Sequence, residues 1–511
     1  MKNFISVLRN PYKKINNIGL VIGPLLFIIF FIFNFDIFTY EAKIVLAVTL
    51  WMSIWWVTEA IPIYVTSLIP LILFPTLGIT DLGETSASYA DRIIFLFLGG
   101  FIIAKAIEVT GLHNRFALNI LSLIGTKPKN IVAGFIIVTS FLSAWMSNTA
   151  TTMLMVPIAF SVIMQIKNSQ EREKFAVCLL LAVAYSASIG GMSTLIGTPP
   201  NAIFASLSNE LVNIEISFAK WMAVAMPISA ISLFILWIYL VNSGAKINNN
   251  SIIEERELIS NKLKSLGKMS FDEKVVTIIF AATAIAWITR GILWKDFFPM
   301  VDDTTVVLIS AIILFIIPSK IKIKIKDKQK IKNNIKENDE IEKIITEKQL
   351  LNKRILHWNE VIKIPWGVLL LIGGGLALAD AFEKSGLDKF IATSLSFLKD
   401  MPIFIVIFII ISITIFASEI ISNTASAALF IPIAFSLSHT LSVDPLVLMA
   451  PIAIATSYGF IMPVGTPPNA IVFSTGHVTT KKMFRAGLPL DLIGIVIVSF
   501  FTTILIQLVW Q

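Results

Sequence analysis

Residues 147–151 read SNTAT and residues 422–426 read SNTAS; GTPPNA stands at 197–202 and again at 465–470. The spacing is kept as well. Ser147 and Ser422 lie 275 residues apart, as do Pro157 and Pro432 and the glycines of TGL (110–112) and SGL (385–387). Thr198 and Thr466 are 268 apart, so the second copy is 7 residues shorter between the two motifs. FLGG at 97–100 matches LIGGG at 371–375 in the same register. A polar motif pair duplicated inside a very apolar chain marks the binding region of a transporter built from two repeats.

The surrounding sequence is that of a membrane protein. Of 511 residues, 56% are hydrophobic and 14% charged, where a soluble domain carries about 25% charge. Apolar runs long enough to cross a bilayer recur at 18–35, 42–60, 62–78, 92–110, 174–197, 217–242, 273–294, 304–319, 364–381, 446–464 and 487–509. The fold expected is an all-α polytopic membrane protein of about eleven transmembrane helices. Two further apolar stretches, 131–165 and 401–438, have SNT in the middle, and each half is short for a span. They are expected to be re-entrant helical hairpins whose tips line a cavity, because irregular backbone at membrane depth needs protein or water against it.

Basic residues cluster before the first span, at 113–129, 167–174, 246–274, 320–363 and 481–485. Placing these clusters in the cytoplasm puts the N-terminus inside and the C-terminus outside. Loop 382–400 departs from the pattern, with Lys384, Lys389 and Lys399 on the outer side. The first hairpin then opens inward and the second outward, as in an inverted repeat. The division expected is an N-terminal segment and first span (1–41), a first repeat (42–242), a cytoplasmic linker (243–272), and a second repeat (273–511) with a cytoplasmic insertion at 319–357. The +8 net charge reads as topology rather than as a nucleic-acid surface. The KIKIKIK run beginning at Lys320 reads as a solvated loop, with contact to anionic lipid as the sharper alternative.

The motifs carry a definite chemistry. Ser, Asn and Thr at a helix break offer short oxygens and amide donors. The helix that starts at each SNT points its free N–H groups at the tip, where an anion is favoured. The double prolines of GTPPN remove backbone donors and force the spans ending near Leu195 and Val464 to unwind at Gly197 and Gly465. Freed carbonyls at that depth suit a desolvated alkali cation. Ser143 and Ser418 stand one helical turn before their motif serines, placed to add hydroxyls. For a lone motif, helix-packing polar residues are the better reading; the symmetric pair reverses that preference. Glu59 reads as a helix end, and Lys105 and Asp380 as snorkelling or paired groups. Glu419, whose counterpart is Ala144, is balanced between tuning a cation site and a satisfied structural bond.

Enzyme chemistry is not indicated: G-x-S-x-G and H-E-x-x-H are absent, Cys178 is the only cysteine, and the four histidines are scattered. A channel remains a different class, separated by its lack of uphill accumulation.

With SNTAT, SNTAS, both TPPNA loops and WWVTEAIP (55–62), the chain resembles the divalent anion:sodium symporter family, which contains dicarboxylate, citrate and sulfate carriers. The resemblance covers nearly the whole chain. It implies a homodimer of elevator carriers. The Lys/Ile/Asn-rich composition points to a bacterial proteome, and so to an inner (plasma) membrane. The resemblance also implies that Asn148, Thr149, Asn423, Thr424 and the backbone near Pro467 contact a dianionic substrate. One sodium would lie among Ser143, Ser147, Asn148 and Gly197, and a second among Ser418, Ile421, Asn423 and Gly465. Ser418 stands where the family often has threonine. Neither motif holds Lys or Arg, so bound sodium would neutralise the dianion. The expected function is sodium-coupled import of C4 dicarboxylates such as succinate, malate or fumarate. The alternatives are sodium-independent dicarboxylate exchange and sodium-coupled sulfate or citrate transport. The 319–357 insertion has no counterpart in the family pattern.

Overall fold

A computed structural model describes residues 11–33, 37–123, 127–166, 168–244, 261–320 and 354–510. Most of the expected insertion (321–353), the middle of the linker (245–260) and the first ten residues lie outside the described residues. Among the described residues the chain is helical, with one isolated bridge between Pro318 and Arg354. The helices used below are α1 (Pro11–Ile32), α2 (Tyr40–Thr58), α3 (Ile63–Thr66), α4 (Ile69–Thr76), α5 (Leu82–Ala87), α6 (Arg92–Thr110), α7 (Leu112–Ser122), α8 (Pro128–Ser143), α9 (Asn148–Ile163), α10 (Ser169–Gly191), α11 (Pro199–Val212) and α12 (Phe218–Tyr239). They continue as α13 (Phe271–Thr289), α14 (Asp303–Ile316), α15 (Trp358–Val361), α16 (Trp366–Ser385), α17 (Leu387–Ser394), α18 (Ile403–Ser418), α19 (Asn423–Leu441), α20 (Pro445–Ala455), α21 (Pro467–Ser474) and α22 (Thr480–Val509).

Among the described residues, seven helical stretches are long and apolar enough to cross a membrane: Tyr40–Thr58, Leu82–Thr110, Ser169–Gly191, Phe218–Asn242, Trp366–Ser385, Asn423–Leu441 and Thr480–Val509. Others, including Asn17–Ile32, Pro128–Ser143, Asn148–Ile163 and Ile403–Ser418, are shorter apolar helices. Three expected spans differ from a continuous helix. The stretch 62–78 is two short pieces, α3 and α4, with Pro70 at the start of α4 removing a backbone donor where α3 would have continued. The stretch 174–197 stops being helical at Gly191, and 446–464 stops at Ala455.

The two halves repeat the same order of elements. Gly111 ends α6 and Gly386 ends α16, both left-handed (φ 77° and 73°), a conformation that glycine adopts without the Cβ penalty. This accounts for the TGL and SGL matches. Each turn is followed by a short helix (α7, α17), then a helix pair broken at SNT (α8–α9, α18–α19). Next come a helix that unwinds (α10, α20), a TPPN helix (α11, α21) and a long last helix (α12, α22). Lys105 pairs with Glu108 at 2.7 Å and Asp380 with Lys384 at 3.0 Å. Glu59 is the left-handed residue that ends α2.

The centre is α10, buried from Phe175 onward apart from a half-buried Val177, and packed on α8, α9, α12 and α21. The halves cross over there. Helix α9 packs on α21, and α11 packs on α19. Each SNT helix thus lies against the TPPN helix of the other half. The close approach of α8 and α10 depends on Gly190, where a Cβ would penetrate the backbone of Ser140. Gly190→Ala is expected to destabilise the fold by about 1–3 kcal/mol through overpacking. Thermal unfolding in detergent checks this, with Gly291→Ala, which meets nothing within 4 Å, as an unchanged control.

Candidate functional site

Both SNT motifs sit where a helix restarts. Helix α8 ends at Ser143 and α9 begins at Asn148; α18 ends at Ser418 and α19 begins at Asn423. The first-turn N–H groups of α9 and α19 therefore face the break, with the positive end of each helix. The two ends differ. Ser147 caps α9 by accepting from Ala150 N at 3.3 Å, whereas Ser422 makes no such cap. Thr149 is half-buried in the first turn of α9, and Thr424 is buried in that of α19.

In the first half three oxygens converge. Ser143 Oγ lies 2.6 Å from Asn148 Oδ1 and 2.7 Å from the carbonyl of Ala187 on α10. A hydroxyl carries one proton. Either the Asn148 amide turns its NH2 toward Ser143, or a cation supplies the missing positive charge. Gly191 lets Asn148 come this close, because a Cβ there would strike Asn148 Oδ1. Gly197 rests in turn on the carbonyl of Gly191. Ser143, Asn148 and Gly197 are thereby gathered around Gly191. The Ser147 hydroxyl is instead engaged as the α9 cap.

In the second half Asn423 Oδ1 is buried with no hydrogen-bond partner among the described residues. Ser418 is fully buried, but its hydroxyl donates back to Thr414 O at 2.9 Å within its own helix. It does not mirror Ser143, because no carbonyl of α20 replaces Ala187 as its acceptor. Ile421 is half-buried and donates its N–H to Ala417 O at 2.8 Å. Gly465 lies against Glu419, whose Oε2 would be 2.9 Å from a Cβ. Pro467 opens α21 and is exposed.

The unwound loops begin earlier than the proline pairs suggest, at 192 and 456 rather than at Gly197 and Gly465. Their carbonyls need donors, and residues outside the expected set supply them. Asn201 Nδ2 reaches Gly191 O (3.3 Å), Met192 O (3.3 Å) and Thr194 O (2.7 Å). Asn469 Nδ2 reaches Gly459 O (2.8 Å) and Met462 O (3.0 Å). Trp221 Nε1 donates to Met192 O at 2.9 Å, and Tyr185 OH to Phe460 O at 2.8 Å. The asparagine of TPPN was visible as part of the motif; nothing in the sequence pointed to Trp221 or Tyr185.

Glu419 resolves as a structural brace. Its carboxylate accepts Ile461 N at 2.7 Å and Met462 N at 2.8 Å. The first half holds its break differently: Thr194 Oγ1 donates to the carbonyl of Ala144. Thr194 and Met462 are equivalent under the 268-residue offset, as Ala144 and Glu419 are under the 275-residue offset. One contact is thus made by a side-chain donor in one half and by a side-chain acceptor in the other.

The sequence profile of a family described as the sodium:sulfate symporter transmembrane region matches residues 16–510. The chain is 40% identical over 491 residues to the sodium-dependent dicarboxylate transporter SdcS of Staphylococcus saprophyticus, covering 94% of this chain and 89% of that protein. It is 39% identical over 500 residues to SdcS of Staphylococcus aureus strain USA300, covering 96% and 91%. Among solved structures it is similar in fold to MtrF of Neisseria gonorrhoeae, with TM-score 0.55, 14% identity and 85% of each chain covered. The YdaH transporter of Alcanivorax borkumensis matches with TM-score 0.54 and 10% identity over 84% of this chain and 87% of that one.

The loop geometry carries its own prediction. Asn201→Asp and Asn469→Asp keep the shape but turn a donor into an acceptor facing carbonyls. Each is expected to destabilise the protein by about 1–3 kcal/mol. Hydrogen exchange should show the loss concentrated at 192–198 for the first variant and 456–466 for the second.

Proposed function

The chain belongs to the sodium:sulfate symporter family, and from that premise we propose that it imports C4 dicarboxylates such as succinate, malate or fumarate, driven by sodium. Sodium is the co-transported ion, in keeping with the family and the staphylococcal relatives. The observation that carries the reading is the oxygen short of a donor at each helix break. Ser143 Oγ, Asn148 Oδ1 and Ala187 O share one hydroxyl proton, and Asn423 Oδ1 is buried without a partner. Oxygens of this kind, hydroxyl, amide and carbonyl, suit a desolvated monovalent cation.

In this reading one sodium is held by Ser143, Asn148 and the backbone near Gly197, with Ser147 through its carbonyl. A second is held by Asn423 and by backbone at Ser418, Ile421 and Gly465. The dianion sits between the N-termini of α9 and α19, with Asn148, Thr149, Asn423 and Thr424 donating to its carboxylates and Pro467 beside it. The crossing of α9 onto α21 and α11 onto α19 supports a single site shared by both halves. Without Lys or Arg in the motifs, the two helix ends and the bound sodium offset the dianion's charge. Sodium therefore binds first and orders the breaks. The helix pairs α8–α9 and α18–α19 act as re-entrant hairpins of opposite orientation, carried by a domain that moves as an elevator within a homodimer. The N-terminus lies in the cytoplasm of a bacterial inner membrane, and the C-terminus lies outside.

Purified protein in proteoliposomes should accumulate labelled succinate under an inward sodium gradient. Asn148→Ala and Asn423→Ala, correctly inserted, should each lose both uptake and sodium dependence. Uptake that ignores sodium but requires internal dicarboxylate would replace the symporter with an exchanger. Uptake of sulfate or citrate alone would replace the substrate.

A further inference from the structure

A path of hydrogen bonds and backbone, routed through one side chain, joins the two helix breaks. The path starts at Asn148 and Ser143, whose hydroxyl reaches Ala187 O on α10. Two residues earlier on the same helix, Tyr185 donates its hydroxyl to Phe460 O at 2.8 Å, and the two rings pack at a tilt of 38° with centroids 4.6 Å apart. The next two N–H groups along that loop, Ile461 and Met462, end on Glu419. Glu419 is the neighbour of Ser418 in sequence and contacts Gly465, both in the second cluster. Ser143, Tyr185 and Ala187 are completely buried, and Phe460 and Glu419 nearly so (1% and 4% exposed).

The comparison between the halves singles out Tyr185. Met192 O and Phe460 O are equivalent carbonyls, separated by the 268-residue offset. Met192 O is held by Trp221, from the same half. Phe460 O is held by Tyr185, from the opposite half and from the helix that already carries the first cluster. The second loop is thus fixed by the element whose position the first cation would fix.

We propose that Tyr185 is the positioning residue through which sodium binding at one cluster favours binding at the other. The inference rests on the sodium-coupled reading above. A cation drawn in at Ser143, Asn148 and the adjoining α10 backbone holds α10 against α8. Tyr185 then holds the Phe460–Met462 backbone, and Glu419 holds the second helix break against that backbone. Removing the hydroxyl breaks the link without touching any atom that contacts an ion or the substrate. Coupling of this kind is reciprocal and reads out as cooperativity.

The test is the sodium dependence of succinate uptake in proteoliposomes for wild type, Tyr185→Phe and Tyr239→Phe. Tyr239 donates its hydroxyl to Arg485 O on α22 at 3.1 Å rather than to a carbonyl of either loop, and controls for loss of a tyrosine hydroxyl. Wild type and Tyr239→Phe are expected to give sigmoidal sodium curves with a Hill coefficient above one. Tyr185→Phe is expected to bring the coefficient toward one and to raise the half-saturating sodium several-fold, with the succinate KM at saturating sodium unchanged. Sodium titration of thermal stability in detergent should show the same loss without transport. If Tyr185→Phe does not insert, Glu419→Gln cuts the far end of the same chain and should flatten the curve likewise. A wild-type Hill coefficient of one, or an unaltered coefficient in the variant that inserts, overturns the coupling while leaving sodium-driven uptake standing. Absence of any sodium dependence in wild type overturns both readings.

Discussion

Everything near the breaks follows from one constraint: backbone that leaves the helix in an apolar interior must find its hydrogen bonds inside the protein. Loops 192–198 and 456–466 leave carbonyls and N–H groups that water would otherwise satisfy. The chain answers with Asn201 and Asn469 on the inner side of each loop, with Trp221, Tyr185 and Glu419 reaching in from neighbouring elements, and with Thr194 of the first loop reaching out to Ala144 O. Because these donors and acceptors take up particular groups, the oxygens left over are also particular ones. Asn423 Oδ1 is among the buried oxygens that find no donor among the described residues once the loops have been braced.

The two halves solve the same problem with different chemistry. The first closes its break with the Thr194 hydroxyl on the Ala144 carbonyl, and the second with the Glu419 carboxylate on two backbone N–H groups. The first turns Ser143 toward Asn148, while the second turns Ser418 back on its own helix. The first caps its SNT helix with Ser147, and the second leaves the corresponding end uncapped. A duplicated sequence therefore yields two helix breaks that are related but not equivalent, and Tyr185 bonds from one half to the other. Asp491 adds to the asymmetry by accepting Phe460 N at 3.3 Å from α22.

Much of the site was legible because its signals are local. A double proline breaks a helix wherever it stands, and an SNT flanked by apolar runs marks a helix start; the restarts at Asn148, Pro199, Asn423 and Pro467 fall there. Where each preceding helix stops was not legible. Alpha-helix α10 ends at Gly191 and α20 at Ala455 because Asn201 and Asn469, ten or more residues downstream in sequence, pull the intervening carbonyls out of the helix. The stretch 62–78 looked like a span by its hydropathy, but it divides before Pro70.

By itself, the sequence determined an all-helical, multi-pass membrane chain, its duplication, its family and the residue types at the two breaks. Those properties are set by composition, by proline and glycine, and by patterns spanning a few turns. Only the tertiary structure decided that Asn148 Oδ1 meets the Ser143 hydroxyl while Asn423 Oδ1 meets no donor among the described residues. It also decided that Glu419 braces a loop, that Ser143 and Ser418 differ, and that Tyr185 joins the halves. Each of those depends on which helix packs against which, through contacts between residues far apart in the chain, and one hydroxyl proton can go to only one of the acceptors that packing brings within reach.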